Sequence, residues 1–563
     1  MSTERAHGMS RTAAWSLAAL ILVTALALAL GSVRRDSVTS DEPAMVAGGL
    51  VKLLDGRLDF FRSNPPLWTV VSVLPLAADG LRVPPIYQPD SDIWMLGRYL
   101  LYRTGIDSER AIFRARLPTV AAFLVLAMAM YWMVAHQTRS RGWALCAMTL
   151  TAFCPLIMAH GRLATVDVAT TLFLFLAVAF LLRLIESPSL LFAIGLGTSS
   201  AAAILSKSSG NIIGPIIIAA IVLALVMNRI NDRRRFFVRF AAAALAGLVA
   251  AEIVVVGLAS DAYIAANFPQ LQSPVARLAL PLAEWIANIR AINEWLRGGH
   301  VLPQFLLGEV RFGGFLHYYA VAILLKTTIP ALLIGLAGFV AFTRRLPRRG
   351  APDASPRFAA LICFLFALVF FVIASTSELA VGVRYVLPMY PFVIAGSVIA
   401  VAEAVRELSA PRRQKVSVVI GLLLAWHVAE NLRTYPGYIA YFNQFIGRQE
   451  NADRFLIDSN LDWGQDLLRL RDWAVANGIR EMTVHYFGGA DVPTAMEGIR
   501  TDVRMSPGPE PLPPGWFAVS THFYRLSLAS DIWPVDYETY LEANGARYVT
   551  TVGDSIRVYR VRQ

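Results

Sequence analysis

The sequence predicts a polytopic α-helical membrane protein with a small α/β domain outside the membrane at its C-terminal end. Three observations lead there. About eleven apolar runs approach the roughly 20 residues that a bilayer crossing needs. Arginines crowd the short loops between alternate runs, and beyond about residue 432 the composition turns to that of a soluble domain. With 56% hydrophobic and 16% charged residues, the chain is too apolar for an ordinary soluble globule. A net charge of +11 would suggest nucleic acid in a soluble protein. Here the positive charge sits in loops flanking apolar runs, where insertion bias explains it, and no nucleic-acid partner is expected.

The runs lie at 14–33, 116–136, 143–159, 166–185, 190–205, 212–228, 236–258, 318–342, 357–375, 386–405 and 415–431. The first follows Arg5 and Arg11 as a signal peptide would, but its apolar core exceeds the roughly 7–15 residues of such a segment, so a retained helix is expected. Threading the runs alternately, with the N-terminus inside, puts four basic loops on one side. They hold Arg139 and Arg141; Arg229 with Arg233, Arg234 and Arg235; Arg344, Arg345, Arg348 and Arg349; and Arg406, Arg412, Arg413 and Lys415. The other side then carries two long loops, 34–115 and 259–317, and everything after 431.

Neither long loop is a plain linker. In the second, Leu278, Leu282, Trp285, Ile289, Ile292, Trp295 and Leu296 recur at helical spacing, as in a helix lying in the membrane interface. In the first, 92–102 and the run after Asn64-Pro65-Pro66 look similar. The predicted division is a membrane module over 1–431 and an extramembrane α/β domain over 432–563. In that domain Leu467, Leu470 and Trp473 mark a helix closed by Gly478. Segments 482–487, 516–520, 548–551 and 557–561 read as strands.

Charged groups at bilayer depth are costly and therefore draw functional suspicion. On the outer side stand Asp41 and Glu42, Arg116, His160, Arg162, Asp167, Lys207, Glu309 with Arg311, and Arg384 with Tyr385. Glu252 and Lys326 fall inside apolar runs, and Lys326-Thr327-Thr328-Ile329-Pro330 should interrupt its helix. Each has a plain structural explanation. Ser40 or Asp41 can cap a helix with Pro43 in its first turn, and long cations snorkel. Collected at one face, carboxylates beside several cations suit an anionic, lipid-linked substrate and a proton-abstracting base. Cys146, Cys154 and Cys363 all lie in apolar runs, so no disulfide framework is expected, and no His/carboxylate spacing calls for a metal or another cofactor.

These residues carry a resemblance. The chain is similar to GT-C glycosyltransferases of family 39, the protein O-mannosyltransferase and aminoarabinose transferase superfamily. The resemblance rests on Asp41-Glu42, Asn64-Pro65-Pro66-Leu67, Arg116-Leu117-Pro118, Arg162 to Asp167, Lys207, Phe305 to Glu309 with Lys326-Thr327, Arg384 to Pro388, and Asp458 to Asp466. It implies inverting transfer of a hexosyl or pentosyl group from a polyprenyl-phosphate donor to an acceptor hydroxyl on protein, lipid or envelope glycan. The site would lie on the periplasmic side of the inner membrane. It further implies Asp41 as base with Glu42 in support, and Arg116, Lys207, Arg384 and Lys326 on the donor phosphate. Asp167, Arg162, Glu309, Asn64 and Tyr385 would orient sugar or acceptor. One departure stands out, since relatives often place His or Lys where this chain has Asn64. The C-terminal domain is expected to serve the acceptor rather than the chemistry. A transporter or flippase of a lipid-linked anion is the alternative, set back by the absence of a visible repeat. A receptor leaves the acidic loop and the cations unexplained.

Overall fold

The computed structural model describes residues 9–84, 87, 92–297, 303–347, 354–508 and 510–562. Arg5, Arg348, Arg349 and the side chains of Trp295 and Leu296 lie outside the described set. All eleven apolar runs fall on helices, but not on eleven continuous ones. Among the described residues, eight helices are long and apolar enough to cross a membrane. Those of the first half are α1 (Arg11–Val33), followed after three shorter helices by α5 (Ser108–Thr138), then α8 (Asp167–Glu186), α10 (Ile213–Val226, extended by a 3-10 turn from Ser208) and α11 (Arg233–Leu258). Run 190–205 forms α9 (Leu190–Ser206), a 17-residue helix. Run 143–159 is broken into α6 (Arg141–Ala152) and α7 (Pro155–His160), because Pro155 brings no N–H and its ring collides with the preceding turn.

The second half holds α14 (Tyr318–Lys326) and α15 (Ile329–Thr343), α16 (Ala354–Ser375), α17 (Met389–Arg406) and α18 (Ala410–Thr434). The interruption expected at Lys326 is present. Helices α14 and α15 meet at a 117° bend, with Thr328 capping the second helix through Ala331 N–H and Pro330 in its first turn. Helices α8 and α17 are enclosed by others, whereas α11 turns Leu245, Val249 and Ile253 outward, as a lipid-facing helix does.

The loop after α1 folds into α2 (Glu42–Leu54), α3 (Pro66–Ala78) and α4 (Ile93–Tyr102), and the second long loop into α12 (Asp261–Asn267) and the amphipathic α13 (Leu280–Arg297). A short hairpin, β1 (Gln304–Leu306) and β2 (Glu309–Arg311), leads into α14. Beyond α18 come α19 (Leu467–Ala476), α20 (Val492–Ala495), α21 (Thr521–Leu528) and α22 (Tyr537–Ala543), around a five-stranded sheet. Its strands β3 (Glu481–His485), β4 (Arg500–Val503), β5 (Gly515–Ser520), β6 (Ala546–Val552) and β7 (Ile556–Val561) stand in the order β4-β3-β5-β7-β6. The pairs β3/β4 and β3/β5 are parallel and the other two antiparallel. Gly478 closes α19 at φ +67, the left-handed conformation expected of it. Strand β4 was not legible: Arg500-Thr501-Asp502-Val503 is an exposed edge without apolar alternation.

The two ends of the bundle differ in chemistry. At one end Glu186 accepts from Gln137 and Ser355 and contacts His136, Arg406 donates to the Thr138 carbonyl, and Arg345 pairs with Glu407. This end holds the basic loops. Arg116 lies 22 residues before Thr138 on α5, about 33 Å along the axis at 1.5 Å per residue. At that far end the candidate site residues gather.

Candidate active site

Residues 34–42 turn back over the end of the bundle, and buried charge fixes their path. Glu42 and Arg116 are both fully buried. Arg116 donates from Nε and Nη2 to the two Glu42 oxygens at 2.7 and 2.6 Å, and from its remaining N–H groups to the carbonyls of Val33, Asp36 and Ser37. Glu42 also accepts from the backbone N–H groups of Thr39 and Ala164. All five guanidinium donors are spent inside the protein. The resemblance makes Arg116 a phosphate ligand; the structure makes it the brace of the loop that carries Asp41. Asp36 is held in the same way, bonded to Arg162 and Arg469. Burial opposes its charge, yet the surrounding Arg162, Arg469 and Arg116 hold its carboxyl below the usual range.

Asp41 behaves differently. It occupies the N-cap position of α2 but makes no side-chain capping bond. Its carboxylate instead accepts from Arg384 Nη1 at 2.7 Å, and the side chain is 25% exposed. Arg384 also lies 3.7 Å from Asp167, which accepts from Lys207 Nζ at 2.6 Å. The Tyr385 ring sits beneath both cations, 4.9 Å from Lys207 and 5.0 Å from Arg384, and Trp463 lies 4.2 Å from the Arg384 guanidinium. Two carboxylates, two cations and two aromatic faces thus meet at one place. Beside them, Asp458 takes a left-handed φ of +57 and is pushed up to about 6 by burial and by Asp41, against the pull of Arg384.

Other expected members lie elsewhere. Lys326 donates to the carbonyls of Ile439 and Asn460 at 2.8 and 2.5 Å and rests against the Phe442 ring, so it ties the broken helix to the C-terminal segment rather than facing a ligand. Glu309 is exposed on the hairpin, paired with Arg311, and has no contact with the cluster among the described residues. Arg162 is fully buried on Asp36, next to the Tyr438 ring, with Nε and Nη2 unpaired among the described residues. Asn64 offers its carbonyl to Lys52 Nζ. Lys52 therefore supplies an ammonium beside the position where the relatives carry a basic residue. Burial lowers it to about 7, with Glu284 and Asp59 acting the other way. Its signal in the sequence is that of a lone lysine in the apolar stretch 43–54.

The C-terminal segment takes part directly. Ser40 N–H donates to the Trp463 carbonyl, Ser37 N–H to Gln465, and Gly489 N–H to Val38. A Cβ on Gly489 would stand 2.2 Å from the Thr39 carbonyl oxygen, so only glycine allows this approach. The expected separation of this segment from the chemistry is corrected: Trp463 touches Arg384, and 463–489 back the loop that carries Asp41. Gly489→Ala should accordingly lower activity by displacing the loop while the helical bundle stays folded. Circular dichroism alongside a transfer assay checks it, and full activity would show that the approach is dispensable. Among the described residues no group of three or more His, Cys, Asp or Glu side chains is placed to hold a metal ion.

Residues 105–280 match the family model described as dolichyl-phosphate-mannose-protein mannosyltransferase. No curated protein sequence matches the chain. Two solved structures are similar along nearly the whole length. ArnT from Cupriavidus metallidurans in the apo state is 13% identical, with 98% of each chain covered and a TM-score of 0.46. ArnT from the same organism bound to undecaprenyl phosphate is 14% identical, with 96% of this chain and 97% of that one covered and a TM-score of 0.44. The family match spans the segment that supplies Arg116, Arg162, Asp167 and Lys207, within a chain whose described residues hold eight helices long and apolar enough to cross a membrane.

Proposed function

We propose that the protein transfers a sugar from a polyprenyl-phosphate carrier to an acceptor hydroxyl at the outer, periplasmic face of the inner membrane, with inversion in one displacement. The observation that carries this reading is the placement of Asp41. It is the partly open carboxylate of the cluster, free of any capping duty and set against a cation. The family match supports the donor class, since its description names dolichyl-phosphate-mannose, a sugar on a lipid phosphate.

The chemistry follows from the charges. The donor phosphate brings negative oxygens to Arg384 and Lys207, whose present partners are Asp41 and Asp167. A phosphate oxygen on Arg384 displaces Asp41, so donor binding itself releases the base. The acceptor oxygen attacks the anomeric carbon as Asp41 takes its proton. The bond from that carbon to the phosphate oxygen breaks, and its electron pair stays on the carrier phosphate, where the two cations stabilise the added charge. Glu42 and Arg116 act at one remove by holding the loop. Residues 432–563 form an outer-face unit that helps to build the site.

Mass spectrometry of membranes given a labelled polyprenyl-phosphate sugar tests the reading: one acceptor class should gain the label, and its absence from every acceptor would overturn it. Arg384→Ala and Lys207→Ala should each weaken donor binding about 10- to 150-fold, the worth of a charge-assisted contact. Removing 440–563 should abolish donor binding as well as transfer, because Trp463 leaves with it. Donor binding by a folded truncated protein would return this segment to the acceptor side alone.

A further inference from the structure

Helices α9 and α11 pack closely at Gly197, where a Cβ would stand 2.0 Å from the Ala243 carbonyl oxygen. Beside this contact they diverge, and α13 closes over the gap. The result is a cavity of about 490 Å³ with walls such as Leu196, Ala244, Leu248, Val255, Leu282 and Ile289. Hydrocarbon would satisfy nearly all of it.

Two atoms would remain unsatisfied. Glu284 is 3% exposed and lines the cavity; its Oε1 accepts from the Tyr263 hydroxyl, while Oε2 is buried without a partner among the described residues. Asn288 lines the same cavity, and its Oδ1 is likewise buried and unpaired. The two are four residues apart on α13 and so project from one face. Nearby cations act on Glu284 through charge but give their hydrogen bonds elsewhere. Lys52 gives its hydrogen bonds to the carbonyls of Phe61 and Asn64, and Arg62 gives its own to Tyr263 and Asn267. Unpaired buried acceptors are costly. A plain isoprenoid chain brings no donor to them, and a terminal phosphate brings further acceptors rather than donors.

We propose that this cavity binds an amphiphilic lipid whose headgroup offers hydrogen-bond donors, a primary ammonium or hydroxyl groups, to Glu284 and Asn288. Ser208 lines the cavity and follows Lys207, so the lipid lies beside the cluster at Asp167. Its binding does not rest on the transfer reading; service as the acceptor would.

The test uses the full-length protein in bilayer nanodiscs holding equal parts of phosphatidylethanolamine, phosphatidylglycerol and phosphatidylcholine with identical acyl chains. Native mass spectrometry then counts the lipids retained. The choline headgroup has no donor, whereas the other two provide an ammonium and hydroxyls respectively. The wild-type protein should retain one or both of the donor-bearing lipids over phosphatidylcholine by about 10-fold. Glu284→Gln and Asn288→Leu should each reduce that preference, and Ala244→Trp, which fills the cavity, should remove the bound lipid. Asp41→Asn should leave retention unchanged, so failure of the transfer chemistry would not disturb this result. Equal retention of the three lipids, or a preference that survives both the headgroup variants and Ala244→Trp, would overturn the proposal.

Discussion

Asp41→Asn should lower the rate of sugar transfer by about 10²–10⁴-fold, the usual contribution of a positioned general base. The substitution keeps the size of the side chain and removes its ability to take a proton. A cap would respond differently, since asparagine caps a helix about as well as aspartate, and Asp41 makes no capping bond that could be lost. Donor binding should hold or tighten, because Arg384 loses the carboxylate that competes with phosphate. Transfer rate and donor binding on purified variants of equal fold decide the matter. A nearly wild-type rate would remove Asp41 from the chemistry. Asp458 would then be the next candidate: it lies close enough to feel both Asp41 and Arg384, and burial pushes its carboxyl up to about 6, towards the range useful to a base. Glu42 and Asp167 are poorer substitutes, because their oxygens are already engaged by Arg116 and Lys207.

Glu42→Gln should act mainly on folding. It leaves Arg116 as a fully buried guanidinium without a counter-charge, and breaking a buried pair from one side costs about 3–5 kcal/mol. The expected outcome is a marked fall in melting temperature and in the yield of folded protein. Donor affinity per folded molecule should change far less than in Arg384→Ala. The adjacent carboxylates should thus differ: Asp41→Asn should spare stability and remove activity, whereas Glu42→Gln should do most of its harm through stability. Unchanged thermal stability in Glu42→Gln would show that Arg116 does not depend on this partner.

The lipid proposal and the transfer reading meet at Lys207 and Ser208, where the cavity adjoins the charged cluster. They predict different variants to fail. Asp41→Asn should be silent in lipid retention, and Glu284→Gln should leave the cluster of Asp41, Asp167, Lys207 and Arg384 intact.

The sequence by itself determined the class of the protein, because hydrophobicity and charge placement are local properties of the chain. Eleven apolar runs, four basic loops and the shift near 432 need no tertiary contact to be recognised, and each run is helical in the structure. Local chemistry also gave the break after Lys326 and the glycine that ends α19. It did not give the division of labour within the charged set. Asp41 and Glu42 are neighbours of the same type, and only the fold seals one against Arg116 while leaving the other beside Arg384. Arg116 and Lys326 looked like phosphate ligands because an isolated buried cation does. What they bind instead is backbone carbonyls from distant segments, together with Glu42 in the case of Arg116, and sequence spacing carries no record of these contacts. Trp463 was visible within a recognisable run, yet its contact with Arg384 joins residues 79 positions apart. The groups that make a site are brought together by long-range packing, and packing geometry is the property that hydropathy and local pattern do not encode.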